Sequence, residues 1–190
     1  MGRLEPFPAL PLAAHRRLSP YESLARSITF QQLSGKAAGT IWARACGLGA
    51  GGRFPEPEAL LGLADEALRA AGVSRQKILA LRDLARHELE GRLPWRRLVR
   101  RTDEEVIEAL TAVRGIGRWS AQMFLMFRWG RLDVLAGGDL GLQEGLKRLD
   151  GLEERPSPKA LEQRGERWAP LRSVASWTLW RLAEERPGDA

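Results

Sequence analysis

The sequence predicts an all-α fold, and three observations support this prediction. Apolar side chains recur at helical spacing in several long stretches, and two of these stretches open with a capping box. No window of five or more residues alternates apolar and polar side chains as a half-buried strand does. With 190 residues, 44% of them hydrophobic, the chain can bury the core of one large domain or of two packed lobes.

Five helical stretches follow one another along the chain. The first, residues 19–30, and the third, residues 102–113, begin with Ser or Thr followed three residues later by Glu. The second, residues 74–91, carries an apolar stripe and ends at a glycine. Residues 157–168 and 169–185 form the last two. The residues that carry these signals are Ser19, Pro20, Glu22, Ile78, Leu81, Leu84, Ala85, Gly91, Thr102, Glu105, Val106, Leu110 and Val113.

The remaining segments set the expected organisation of the chain. Glycine-rich residues 47–60 are predicted to form a flexible loop, and the final Arg-Pro-Gly-Asp-Ala a frayed tail. We expect one compact unit over residues 1–190 with two lobes. Lobe one would contain the middle helices, about residues 30–115, and lobe two both chain ends, about residues 1–29 and 116–190.

The composition excludes several classes of protein. A single cysteine, Cys46, rules out a disulfide framework, a four-cysteine iron–sulfur cluster and a thiolate zinc finger. His15 and His87 have no acidic cluster beside them, so we expect no metal site built from side chains. No stretch approaches the roughly 20 apolar residues that span a bilayer, and the proline-rich start does not fit a signal peptide. We therefore expect a cytoplasmic protein with no membrane contact and no bound cofactor.

The charge balance is modestly basic. The formal net charge is +6, which suits a polyanionic partner without proving one. Of the 30 basic residues 26 are Arg, whose planar guanidinium matches phosphate. A GC-rich coding bias would produce the same excess of Arg, so both explanations stay open.

A Gly-Ile-Gly turn precedes the most apolar helix of the chain. Glycine at Gly115 and Gly117 permits a tight turn and lets a phosphate approach without an intervening Cβ, while Ile116 can pack inward. The unpaired N–H groups at the start of the following helix attract anions, and Arg118 and Ser120 can add contacts to a phosphate oxygen. The pattern predicts a backbone clamp on a nucleic-acid phosphate. The alternative is an ordinary turn between helices with glycine at its corner.

Four motifs in this order carry a resemblance to a known family. They are ARSITFQQLSGKAAGTIWAR (25–44), GVSRQKILALRDLA (72–85), LTAVRGIGRWSAQMFLMF (110–127) and DVLAGGDLGLQEGL (133–146). Together they resemble the helix-hairpin-helix DNA glycosylases, and most of all the branch of 3-methyladenine DNA glycosylase II, over about residues 20–182. The resemblance implies a two-lobed all-α glycosylase fold, here without the N-terminal β-rich lobe of some relatives.

The resemblance also implies an activity. Such an enzyme flips an alkylated base, 3-methyladenine or a related one, out of double-stranded DNA and hydrolyses its N-glycosidic bond in base excision repair. We expect a monomer that acts on the nucleoid of a bacterium. Lyases of this superfamily carry a lysine in the second hairpin helix, where this chain has Trp119, so no lyase activity is expected. The alternative function is a non-catalytic helix-hairpin-helix module that binds damaged DNA.

The resemblance assigns the catalytic role to one acid. Asp139 matches the catalytic position of the family, where a carboxylate stabilises positive charge on the sugar. The same residue can cap the helix that follows, and the two roles are compatible. A simple binding module needs no acid beside DNA phosphates, so Asp139 distinguishes the two functions. The expected substrate pocket contains Trp119, Met123, Trp180, Gln31 and Leu140.

Three further expectations follow from comparison with the family pattern. Gln32, with Leu33 beside it, matches the wedge that fills the space left by the flipped base, although a plain helix end and turn explains the segment equally well. The hairpin of this superfamily tends to hold a monovalent cation, for which Thr111, Val113 and Ile116 would supply main-chain carbonyls. Met123 stands where relatives can have a tyrosine, and Leu140 follows Asp139, which suggests a less aromatic pocket that is open to 1-methyladenine or 3-methylcytosine.

Overall fold

The computed structural model describes residues 17–184, and every regular element in that range is helical, with no strand. The prediction of an all-α fold is therefore confirmed. The described chain divides into two compact units, residues 17–124 and residues 125–184. The boundary differs from the expected one, because the first helix and the second hairpin helix pack on the middle helices. Residues 1–16 and 185–190, which the expected second lobe included, lie outside the described residues.

The first unit contains a helical turn of 3₁₀ type at Ala50–Gly52 and eight α-helices over residues 17–124. Both predicted capping boxes are present, since the Ser19 and Thr102 hydroxyls accept from main-chain N–H groups and a Glu side chain bonds back to each cap. The helices are α1 (Pro20–Phe30), α2 (Gly35–Cys46), α3 (Pro57–Gly62), α4 (Asp65–Ala70), α5 (Arg75–Leu89), α6 (Trp95–Leu98), α7 (Asp103–Thr111) and α8 (Arg118–Phe124).

Helix α5 lies at the centre of this unit. Helices α1, α3 and α4 pack against it, and α1 also contacts α2 and α8. Gly91, with φ +66°, follows the end of α5 as predicted, because a left-handed residue there lets the chain leave the helix. The apolar stripe read from the sequence is buried in this core: Ile78, Leu81, Leu84 and Ala85.

The prediction of a flexible loop at residues 47–60 is wrong for most of that segment. Phe54 is only 2% exposed, and its ring stacks on that of Trp42 with centroids 4.9 Å apart. Arg53 forms an ion pair with the buried carboxylate of Glu22 at 3.0 Å, and α3 begins inside the segment. Contacts with α1 and α2 therefore hold a stretch whose glycine content alone suggested mobility.

The second unit begins with a π-helical turn at Leu125–Trp129. It continues with α9 (Leu140–Asp150), α10 (Pro158–Gly165), a 3₁₀ turn (Glu166–Trp168) and α11 (Arg172–Glu184). Helices α9 and α11 form its main helix pair. A Cβ added at Gly145 would lie 2.1 Å from the Leu179 carbonyl oxygen, so glycine permits this close backbone contact. Over residues 17–184 no helix is long and apolar enough to cross a membrane.

Candidate active site

The hairpin turn lies between α7 and α8, and its two glycines serve different purposes. Gly115 has φ +77°, and a Cβ added there would meet the Cβ of Ala80 at 3.0 Å, so the fold itself requires glycine. At Gly117 φ is not positive, and an added Cβ would meet nothing within 4 Å. Glycine at this position instead favours close approach of an outside group to the backbone. Ile116 is 5% exposed and packs inward, as predicted.

Two side chains that were expected to contact phosphate have other surroundings. Arg118 pairs with Glu104 on α7 through two hydrogen bonds, and these bonds lower the pKa of the Glu104 carboxyl. Ser120 is buried, with 6% of its surface exposed. The main-chain N–H groups at the start of α8 are therefore better placed for a phosphate than either side chain.

The carbonyls implied as cation ligands lie at the end of α7 and in the turn. The Val113 carbonyl accepts the N–H of Ile116 at 3.1 Å. Within residues 17–184, the carbonyls of Thr111 and Ile116 accept no hydrogen bond. An unpaired carbonyl carries partial negative charge, so Thr111 and Ile116 fit a monovalent cation, and Val113 would bind it through the second lone pair of its carbonyl oxygen.

The turn after α1 contains Gln32 and Leu33, the residues that were expected to form the wedge. Gln32 has φ +56° and is the one non-glycine residue of the described chain in the left-handed region, a conformation that costs ~1–2 kcal/mol. Gln32 and Leu33 are both exposed. The side-chain amide of Gln31 donates to the Gly115 carbonyl oxygen at 2.8 Å. The wedge turn is therefore bonded directly to the hairpin turn.

Gln31 and Gln32 line two clefts of the first unit. The first cleft, of about 370 Å³, brings Gln31 together with Trp119, which is 49% exposed. Met123, one turn further along α8, is half-buried and does not line this cleft. The second cleft, of about 270 Å³, also includes Lys77, Arg114 and Gly115. Three pocket residues were predicted in this unit, and Gln31 and Trp119 line the same cleft while Met123 does not.

In the second unit, Asp139 is the N-cap of α9. Its Oδ1 accepts a hydrogen bond from the Leu142 N–H at 2.9 Å, and the residue is 9% exposed. The predicted capping role is confirmed. The preceding loop is held by Gln143, which is buried and whose side-chain amide donates to the Gly137 carbonyl at 2.9 Å. Gln143 was not among the residues predicted from the sequence.

Asp139 has a second donor on α11. The indole N–H of Trp180 donates to Oδ1 at 3.0 Å, and the Trp180 ring stacks on that of Phe127 with centroids 5.9 Å apart. A Cβ at Gly141 would lie 2.9 Å from the Trp180 ring and 3.1 Å from Oδ1, so glycine makes room for this contact. Gly141, two residues after the acid, is the one signal in the sequence that could have indicated this contact. Leu140 is 64% exposed.

The neighbouring acid, Asp133, is engaged in an ion pair. Arg172, at the start of α11, donates to its two carboxylate oxygens at 2.7 and 2.8 Å. These hydrogen bonds lower the pKa of Asp133. Its carboxylate is therefore a structural contact between the loop before α9 and α11, which leaves Asp139 as the better candidate for chemistry.

A tight two-glycine hairpin between helices, followed by an acid that caps the next long helix, defines a helix-hairpin-helix protein. Residues 25–170 match the model of the HhH-GPD superfamily base excision DNA repair proteins, and the chain belongs to this superfamily. DNA-3-methyladenine glycosylase 1 of Schizosaccharomyces pombe is 35% identical over 175 residues, which cover 92% of this chain and 77% of that protein.

Two solved structures are similar to this chain. The crystal structure of DNA-3-methyladenine glycosidase from Bacillus halodurans has a TM-score of 0.81 and 47% identity, and the match covers 88% of this chain and 76% of that one. The 3-methyladenine DNA glycosylase of Schizosaccharomyces pombe in complex with abasic DNA has a TM-score of 0.79 and 35% identity, with 95% and 85% covered.

Proposed function

We propose that this protein is a monofunctional DNA glycosylase that hydrolyses the N-glycosidic bond of 3-methyladenine and related alkylated bases. The observation that carries the proposal is the Asp139 carboxylate, held by the Leu142 and Trp180 N–H groups in a loop that follows the hairpin helix. Relatives named 3-methyladenine glycosylases cover most of the chain and support the same reaction. Double-stranded DNA is then the substrate and partner.

In the proposed reaction, the bond between the base nitrogen and C1′ of the sugar breaks, and its electron pair leaves with the base. Positive charge develops on the sugar, and the Asp139 carboxylate stabilises it. Water adds to C1′ and passes a proton to the carboxylate. An alkylated purine already carries positive charge and departs neutral. One acid therefore suffices, and no general acid is needed for the leaving group.

The aromatic side chains supply selectivity in this proposal. A flipped base must stack on a lined pocket, and indole faces attract a cationic base more than a neutral one, by ~0.5–2 kcal/mol when water is excluded. The half-exposed indole of Trp119, on the first unit, is the face that would stack on the base. Gln32, or Leu33 beside it, would occupy the space that the flipped base leaves.

The hairpin would bind the DNA backbone without reading its sequence. The N–H groups after Gly117 approach a phosphate, because no Cβ stands in the way. A monovalent cation on the carbonyls of Thr111, Val113 and Ile116 would add positive charge beside that phosphate. Trp119 stands where lyases of the superfamily carry lysine, so water and not an amine completes the reaction. A monomeric state and a cytoplasmic location stay predictions.

The test is release of base from methylated duplex DNA under single-turnover conditions. Asp139→Asn keeps a capping side chain, so the fold should persist while release falls by at least about 100-fold. Asp133→Asn is the matched control and should release base at the wild-type rate, because its carboxylate pairs with Arg172. Parallel substrates carrying 1-methyladenine or 3-methylcytosine define the range of bases.

The outcomes separate the two candidate functions. Free 3-methyladenine and an intact abasic strand from wild type, with Asp139→Asn binding but not releasing base, support the glycosylase. A wild-type protein that binds methylated duplex and frees no base would make Asp139 a cap alone and the chain a recognition module.

A further inference from the structure

Lys77 belongs to the first turn of α5, yet its ammonium group lies at the C-terminal end of α1. It donates to the main-chain carbonyls of Thr29 and Gln31, at 2.8 Å each. A helix end leaves such carbonyls without partners inside the helix, and its dipole favours a cation there. Burial lowers the pKa of Lys77, as expected for an amine partly withdrawn from water.

The Lys77 contact falls on the peptide that leads into the left-handed residue. The Gln31 carbonyl belongs to the peptide bond that joins Gln31 to Gln32, whose φ is +56°. A left-handed conformation at a residue with a Cβ persists only where the surroundings hold it. Lys77 holds the carbonyl of Gln31, and the Gln31 side chain is bonded to the Gly115 carbonyl.

The same contacts join three elements that the reaction uses together. Lys77 and Gly115 line the second cleft, and Gln31 and Gln32 line it and also the first cleft, which contains Trp119. A change in the conformation of Gln31 and Gln32 therefore alters both clefts, because these two residues line each of them. The network runs from α5 through the wedge turn to the hairpin, so the placement of Gln32 depends on bonds to both of these neighbours.

We propose that Lys77 is the positioning residue of the wedge turn. By binding the carbonyls of Thr29 and Gln31, its ammonium holds Gln32 in the left-handed conformation from which the side chain enters the duplex. This inference rests on the proposed function, because a wedge is needed only where a base is flipped. Lys77 touches neither the base nor the sugar in this scheme and acts through Gln31 and Gln32.

The experiment compares Lys77→Met, which keeps the apolar stem and removes the donors, with wild type. Single-turnover release of 3-methyladenine should slow about tenfold, or ~1.4 kcal/mol in the barrier. The fluorescence rise of 2-aminopurine placed beside the lesion, which reports unstacking, should diminish. Binding to undamaged duplex should stay within about twofold, because hairpin contacts to phosphate persist.

Two variants control for charge and for chemistry. Lys159→Met removes an exposed lysine of the second unit and should match wild type in all three measurements. Lys77→Arg retains the charge and several donors, and should recover part of the release rate and of the fluorescence signal. Equal defects in Lys77→Arg and Lys77→Met, with both folded, would overturn the proposal.

A second measurement separates positioning from general stability. Glycine adopts the left-handed region freely, so in a Gln32→Gly background Lys77→Met should lower the melting temperature less than it does in wild type. An equal loss in both backgrounds would overturn the proposal. If wild type frees base and Lys77→Met matches it in release and fluorescence, only this inference fails. If wild type frees no base, the proposed function fails and the wedge role with it.

Discussion

The indole N–H of Trp180 and the main-chain N–H of Leu142 donate to the same carboxylate oxygen, Oδ1 of Asp139, at 3.0 and 2.9 Å. The acid is therefore held by α11 and by the first turn of α9. The helix dipole favours its negative charge, and the two bonds orient the carboxylate before any substrate arrives. The packing of α9 on α11 thus sets the geometry of the proposed catalytic group.

Replacing Trp180 by Phe tests this relationship. Trp180→Phe keeps an aromatic ring and removes one donor to a charged group, a bond worth ~1.5–3 kcal/mol. We expect base release to slow about tenfold or more, while affinity for abasic duplex changes little. Single-turnover kinetics measure the rate, and Trp168→Phe, in the same unit, is the control. A wild-type rate in Trp180→Phe would show that the indole N–H does not contribute.

The hairpin glycines should respond differently to alanine. Gly115→Ala places a Cβ at positive φ and 3.0 Å from the Cβ of Ala80, so we expect the free energy of unfolding to fall by ~1–2 kcal/mol.

Gly117→Ala places a Cβ where no neighbouring atom lies within 4 Å, so stability should be unchanged. The methyl group should instead weaken duplex binding about tenfold or more. Urea unfolding and salt-controlled binding assays measure the two effects. Unchanged binding by Gly117→Ala would contradict the backbone clamp.

The Asp133–Arg172 ion pair should make stability depend on pH. The pKa of Asp133 in the folded protein lies below its usual value, because Arg172 donates hydrogen bonds to the carboxylate. The pair therefore stabilises the fold above the unfolded pKa of about 3.9, and this stabilisation is lost as the pH falls through the folded value.

Asp133→Asn should accordingly lower the free energy of unfolding by ~0.5–1 kcal/mol at pH 7, since the pair is about one-third exposed and screened by solvent. Urea unfolding at pH 7 and pH 3 should show a smaller difference at the lower pH. Glu153→Gln, an exposed acid of the same unit, is the control. An Asp133→Asn effect that is equal at both pH values would argue against the ion pair as its source.

The absence of lyase activity is testable by borohydride trapping. An amine that attacks the abasic sugar forms a Schiff base, which borohydride reduces to a stable crosslink. We expect no crosslink with wild type and an intact abasic strand. Trp119→Lys places an amine at the matching hairpin position and should produce a detectable crosslink. A wild-type crosslink would overturn the monofunctional assignment.

Local patterns were sufficient for the fold class and for the hairpin turn, whereas the catalytic, pocket and wedge roles came from the resemblance to the family. Each of these patterns involves residues within a few positions of one another, so a short stretch of sequence is enough to predict it. They are the capping boxes at Ser19 and Thr102, the apolar stripe of α5 and the Gly-Ile-Gly hairpin. The capping role of Asp139 was predictable for the same reason, because it involves only the first turn of the helix that follows.

Tertiary packing decided what those residues contact. The bond from Trp180 to Asp139 and that from Lys77 to Gln31 join residues 41 and 46 positions apart, and they exist because helices from distant parts of the chain pack together. Packing between helices also explains why residues 47–60 are held and why Arg118 on α8 pairs with Glu104 on α7. The sequence by itself determined which groups are available, and only the packing of helices, which buries some and orients others, determined their partners.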